Sequence, residues 1–360
     1  MRFALSEDQK MLQESLARTL ADASPLERVR RFANDPEDTA ADLWAALSDF
    51  GLPGIAVSED HGGLGLTMLE AALASEALGA AVAPVAFLGV VLAPLALRLG
   101  GSAAQQDEWL PKLASGEVTA AVAIGEAVAG ARDGAGVTAK GGKLSGKAMF
   151  VPGGMTAGLI LVADAGGGLH LVRGDAPGLS RSPMPNIDET RRLAELTFEG
   201  TPAEPLGNAP ELAGRLRDAA WVLIAADTLG ACQTMLDKAV AYAKERRQFG
   251  RVIGSYQAVK HLCAEMAADL EPARALVWYA AYAFDTAPAE APLMAAHAKA
   301  LTSEIGRFIA RTSTEVHGGI GITDLLGLHF WFKRVGLNRQ LLGGPEKVRE
   351  IAARLQGLAA

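Results

Sequence analysis

Residues 211–250 read ELAGRLRDAAWVLIAADTLGACQTMLDKAVAYAKERRQFG. From Leu212 to Lys244 this stretch is rich in Ala and Leu and holds no proline, so nothing in it breaks an α-helix. A second such run spans Tyr256 to Asp285, and a third spans Pro292 to Val316. Long helices of this kind bury their apolar faces against one another. The pattern therefore predicts a C-terminal helical bundle over residues 210–360.

Upstream of the bundle the pattern changes twice. Over residues 118–209 glycine is frequent, and short apolar runs alternate with turns: Ala120 to Ile124, Lys143 to Val151, Leu159 to Ala163, Leu169 to Val172 and Ala194 to Phe198. This spacing predicts a small β domain, a sandwich or barrel. Residues 1–117 read as helices again. Ser6 caps the first, with Glu7 and Asp8 at its positive end and Met11, Leu12, Leu16 and Leu20 at helical spacing. Thr39 opens another, which runs through Leu43, Trp44 and Leu47 to Gly51 and Pro53. Thr67 starts a third after the glycine-rich loop Ser58 to Gly65. The predicted class is α+β: an N-terminal helical domain, a middle β domain and a C-terminal bundle.

Composition narrows the function. The 360 residues are 50% hydrophobic and 21% charged, as in ordinary globular proteins. A net charge of −7 argues against a general nucleic-acid binder, which needs a cationic surface. The charge is uneven: residues 1–120 carry net −9, residues 121–210 net −1 and residues 211–360 net +3. An anionic ligand meets least repulsion in the last third. Two cysteines, Cys232 and Cys263, are too few for a disulfide framework, and a reducing cytoplasm is the simplest expectation. The stretch Met1 to Leu5 has no apolar leader core. The most apolar stretch, Val85 to Leu99, contains Pro94 and Arg98 and reads as a buried helix, too short to span a membrane.

Common nucleotide and metal signatures fail. Gly141 to Ala148 nearly matches a phosphate loop, but Ala148 lacks the hydroxyl that would hold magnesium, and the flanks read as a β-hairpin. The six histidines are scattered and no Cys-x-x-Cys occurs, so no metal site is expected. Two stretches carry more information. Glu245-Arg246-Arg247-Gln248-Phe249-Gly250, followed by Tyr256-Gln257, sets a guanidinium beside amide and aromatic groups that suit a phosphate and a flat apolar surface. A basic helix end facing its own dipole has the same composition. In Glu315-Val316-His317-Gly318-Gly319-Ile320-Gly321, glycines after a helix let backbone N–H groups approach an anion, or simply end the helix.

In this order and spacing, with Leu5-Ser6-Glu7-Asp8-Gln9 and Glu59-Asp60-His61-Gly62-Gly63-Leu64-Gly65 near the start, the chain resembles the acyl-CoA dehydrogenase family over essentially its whole length. The resemblance implies FAD held between the β domain and the bundle and shared across a subunit interface. By it, Arg246, Gln248, Phe249 and Gln257 reach a neighbouring subunit's FAD, and Gly318 and Gly319 belong to the same dinucleotide pocket. Glu315 stands where the family commonly has glutamine. Positions expected against the flavin ring are Val122 to Glu126, including Ile124 and Gly125, and Phe150-Val151-Pro152. Phe150 would stack where tryptophan is frequent. Pro152 replaces a common threonine and brings neither hydroxyl nor N–H.

The chemistry implied is α,β-dehydrogenation of an acyl-CoA thioester, in which a glutamate takes the α-proton and the flavin takes the β-hydride. The two positions that carry this glutamate in the family align with Leu342 and Ala220, and the arginine that follows the second aligns with Trp221. No catalytic residue is therefore assigned, with Asp218, Asp227 and Glu346 as the nearest acids. The resemblance then implies a subunit of a dehydrogenase of two related chains, acting on a bulky, lipid- or steroid-like acyl-CoA. A paralogous partner would supply the base, and an electron-transfer flavoprotein would accept the electrons. A self-sufficient homo-oligomeric flavoenzyme with a displaced base and a non-catalytic binding protein are the alternatives.

Overall fold

A computed structural model of the chain describes residues 4–207 and 209–359. Met1 to Phe3, part of the stretch read above for a leader, lie outside the described residues. Six helices come first: α1 (Glu7–Ala23), α2 (Leu26–Asn34), α3 (Ala41–Asp49), α4 (Met68–Ala80), α5 (Phe87–Gly100) and α6 (Ala103–Ala114). Ser6 and Thr67 cap α1 and α4 as expected, each in a reciprocal capping box, with Gln9 and Glu70 respectively. Thr39 does not cap α3. That helix starts after Ala40, which lies at φ 54 and makes no side-chain cap.

The middle of the chain folds as β1 (Ala120–Ala123), α7 (Gly125–Ala129), β2 (Gly136–Lys140), β3 (Lys143–Pro152), β4 (Leu159–Ala163), β5 (Leu169–Arg173), β6 (Leu179–Met184), β7 (Leu193–Pro202) and β8 (Glu204–Pro205). They form two four-stranded sheets, in the orders β1-β4-β5-β8 and β2-β3-β7-β6. Strands β1 and β4 of the first sheet are buried on both faces, which explains their uninterrupted apolar runs. In β4, Leu159 and Leu161 join the helical core, whereas Ile160 and Val162 join the core between the sheets. The sequence reading missed β2 and β6. Both are edge strands, and edge strands carry polar residues and tolerate proline, here Pro183. The glycine pair of the near-phosphate loop, Gly141-Gly142, is the two-residue turn between β2 and β3, with φ of 59 and 73.

The bundle follows: α8 (Ala209–Glu245), the short hairpin β9 (Arg247–Gln248) and β10 (Arg251–Val252), α9 (Gln257–Thr286), α10 (Ala291–His317), α11 (Leu328–Gln340) and α12 (Pro345–Leu355). Helix α9 runs on through Pro272. Helix α8 is long and apolar enough to cross a membrane by length and composition, but 89% of its apolar window is buried inside the fold. Helix α4 lies against α8 so closely that glycine is required on both: a Cβ on Gly230 would overlap the Glu76 carbonyl, and one on Gly79 that of Asp227.

Candidate active-site cleft and cofactor-facing loops

The β domain meets the bundle along a cleft of about 140 Å³, lined by Leu88 and Leu92 of α5, Val122, Ala123, Gly125 and Glu126 between β1 and α7, Met149 to Pro152 of β3, and Leu337 and Gln340 to Leu342 at the end of α11. A buried ionic cluster fixes this junction. Arg334 of α11 donates to Asp188 (2.7 Å) on the β6–β7 loop and to Asp227 (3.1 Å) of α8. Arg191 and Asn338 also donate to Asp227, at 2.8 and 2.7 Å. Asp188, Asp227, Arg334 and Asn338 are all buried. Charges this deep are tolerated only when every one is paired.

The two positions aligned with the catalytic glutamate come together. Ala220 is buried on α8, and the next residue, Trp221, donates its Nε1–H to the Leu342 carbonyl at 2.8 Å. Leu342 lies at φ 55, a conformation leucine seldom adopts, on the cleft wall. Just upstream, the buried Lys299 ammonium caps α11 through the carbonyls of Asn338 (2.7 Å) and Arg339 (3.1 Å). Burial and the Arg339 charge bring the Lys299 pKa down to about 7.

The other acids considered from sequence do not line the cleft. Asp227 is consumed by the ionic cluster. Asp218 is buried against Arg217 (2.7 Å), and burial pushes its pKa above the ordinary carboxylate range. Glu346 is held below that range by its own backbone N–H at the start of α12 and by Arg339. The cleft's carboxylate is Glu126, whose Oε1 accepts the Met149 N–H at 2.8 Å. Sequence reading named Glu126 only as a backbone position, because nothing in the sequence brings α7 onto β3.

The expected cofactor contacts fall into two places. Arg246, Gln248 and Phe249 follow α8 on an exposed hairpin, and the exposed Gln257 opens α9. Phe249 lies at φ 52 and is 93% exposed, its ring edge-on to Tyr256. Among the described residues Arg246 has no carboxylate partner. Gly318 and Gly319 cap α10 with open space where a side chain would stand. Tyr242 stacks on His317 at 4.8 Å, which brings the hairpin and the glycines to one end of the bundle. An unpaired guanidinium and open backbone there suit a pyrophosphate. Ile124, Gly125 and Phe150 lie elsewhere. Gly125 and Phe150 line the β3–α11 cleft, and the Ile124 side chain is buried in the helical core.

Residues 6–117 match the N-terminal domain, and residues 219–356 the C-terminal domain, of acyl-CoA dehydrogenases. The acyl-CoA dehydrogenase IpdE2 of Mycobacterium tuberculosis is 33% identical over 352 residues, 97% of this chain and 96% of that protein. Among solved structures, the ChsE4-ChsE5 complex from Mycobacterium tuberculosis superposes with a TM-score of 0.91 at 27% identity, over 100% of both chains. The Tcur3481-Tcur3483 steroid ACAD G363A variant does so with 0.89 at 29%, over 98% of each. The chain belongs to the acyl-CoA dehydrogenase family. That family binds FAD, and solved structures of the same fold hold it.

Proposed function

We propose that this chain is one subunit of an acyl-CoA dehydrogenase built from two related, unlike chains, and that its partner carries the catalytic glutamate. The observation that carries this reading is the apolar junction of Ala220, Trp221 and Leu342. The two positions that align with the family's base are joined there through the Trp221–Leu342 hydrogen bond, and none of these three side chains can accept a proton. FAD, when bound, supplies the hydride acceptor. This chain's part is to bind and orient: Arg246 offers charge to the pyrophosphate, Gln248 and Gln257 offer amides, Phe249 offers an apolar face, and Gly318 and Gly319 offer backbone N–H groups, all toward a neighbouring subunit. The ionic cluster keeps the β domain seated on the bundle. Relatives described as steroid ACAD and as a two-chain complex favour a bulky, lipid- or steroid-derived acyl-CoA as substrate. An electron-transfer flavoprotein is the acceptor, and a reducing cytoplasm suits the two unpaired thiols.

The test is turnover of acyl-CoA by the purified chain alone and after co-expression with a paralogous chain. A general base contributes ~10²–10⁴-fold, so the chain alone should lose at least that factor. Equal turnover with and without the partner would sink the proposal. The observation favouring a self-sufficient enzyme is Glu126, the carboxylate on the cleft wall. Glu126→Gln should leave turnover of the complex unchanged; a loss of ~10²-fold or more would make Glu126 the displaced base.

A further inference from the structure

Residues 318–327 join α10 to α11. The loop opens with Gly318 and Gly319, at the same end of the bundle as Arg246, and carries the exposed Ile322 and Leu325. Its two short turns, Gly318–Ile322 and Asp324–Leu326, are held from within. The Thr323 N–H (3.1 Å) and hydroxyl (2.7 Å) both donate to the Ile320 carbonyl, and the Gly327 N–H donates to the Asp324 carbonyl at 3.0 Å. Such bonds fix the shape of the turns and not their place on the molecule. That place comes from α2 in the N-terminal domain. Arg30 donates from Nη2 to the carbonyls of Asp324 and Leu325, the latter at 3.0 Å, and its Nε stands 3.7 Å from Asp324 Oδ1. Among the described residues, no other side chain from outside the loop hydrogen-bonds to its backbone. One turn earlier on α2, Leu26 lies against Gly327, where a Cβ would stand 2.8 Å from Leu26 Cδ2.

Helix α2 is itself held fast. Val29 and Phe32 pack into the helical core, and Arg28 is paired with Asp38 and Asp42. From the β domain, Arg192 donates to the carbonyls of Phe32 (2.5 Å) and Asp35 (2.7 Å), with its guanidinium 4.2 Å from the centre of the Phe32 ring. Its chain neighbour Arg191 belongs to the buried cluster around Asp227. A helix anchored on three sides offers the loop a rigid post. We infer that Arg30 is a positioning residue for the cofactor: through the Asp324 and Leu325 carbonyls it sets the 318–327 loop where Gly318 and Gly319 meet a neighbouring subunit's FAD. This inference rests on the reading above that those glycines face FAD. A loop released from Arg30 keeps its two turns, but FAD must then order it on binding. Ordering one or two residues costs roughly tenfold in affinity.

The experiment measures amide hydrogen exchange of the flavin-free assembly and its affinity for FAD, in the parent, Arg30→Met and Arg30→Lys. In Arg30→Met, exchange should quicken over residues 318–327 while α1, α4 and α8 keep the protection of the parent, and FAD should bind roughly tenfold more weakly. The Lys299 ammonium already holds two consecutive carbonyls, so Arg30→Lys should recover most of both effects. Unchanged FAD affinity in Arg30→Met would overturn the inference, whatever the loop does. Weaker affinity with loop exchange as in the parent would overturn it too, because Arg30 would then act as a charge that attracts FAD and not as a tether. Arg246→Ala, measured alongside, separates the inference from the reading beneath it. If Arg246→Ala weakens FAD binding and Arg30→Met does not, the tether alone falls. If neither does, this end of the bundle does not face FAD, and both fall.

Discussion

Arg246 stands exposed at the end of α8 with no carboxylate beside it, whereas Arg28, Arg274 and Arg334 are each tied to one or more acids. An unpaired guanidinium costs nothing in water and keeps its full charge for a ligand. Its replacement by alanine removes a charge-assisted contact worth ~1.5–3 kcal/mol. The fold itself should be untouched, so the thermal midpoint of the flavin-free protein should not move. Lys299 is the opposite case, buried and capping α11, with a pKa of about 7 against an ordinary 10.5. Between those values the unfolded chain binds the proton that the folded chain has released. The Lys299 contribution to stability therefore rises with pH from about 7 toward 10.5 and is lowest below about 7. Lys299→Met should flatten that rise, read as the change in urea midpoint between about pH 6 and about pH 9 in variant and parent.

Among the elements, legibility followed periodicity. The long helices α8, α9 and α10 were visible because apolar residues recur over many turns, and β4 because both its faces are buried. Helix α2 was missed. Its nine residues, LERVRRFAN, look like a charged loop, because Arg28 makes its bonds to Asp38 and Asp42, which only the fold brings near. The alignment of Leu342 and Ala220 with the base positions is what the resemblance implies. Their convergence on one carbonyl through Trp221 was not readable, since 121 residues separate the partners. The polar run Asp188-Glu189-Thr190-Arg191 reads as an ordinary turn between strands, yet it supplies Asp188 and Arg191 to the buried cluster. Asp227→Ala would leave Arg191 and Arg334 buried with fewer partners. Breaking such a cluster costs ~3–5 kcal/mol, and the loss should appear as a lower denaturant midpoint. Asp227→Asn keeps the volume and part of the bonding and should cost less. Equal midpoints for Asp227→Ala and the parent would mean that the cluster does not hold the β domain to the bundle.

At the scale of the whole molecule, one end of the bundle presents Phe249 at 93% exposure on its hairpin, and the α10–α11 loop adds Ile322 at 78% and Leu325 at 77%. Apolar side chains this exposed on ordered loops mark a surface covered in an assembly, so light scattering should not find a stable 37.4 kDa monomer at micromolar concentration. The same assembly decides where the proton goes. If the only defect of this chain were a missing carboxylate, Leu342→Glu would restore it. The geometry argues otherwise. Leu342 is 9% exposed and its carbonyl is fixed by Trp221. A glutamate introduced there would be buried beside the Trp221 indole, so burial would raise its pKa and lower its proton-accepting fraction. Leu342→Glu should therefore stay near the background rate when purified alone, and it should melt lower than the parent because it buries an unpaired acid. Removing the partner's glutamate from the unmodified complex should abolish turnover while bound FAD stays constant. Robust turnover by the isolated Leu342→Glu chain would mean that the apolar junction is a one-residue lesion and not a rebuilt site.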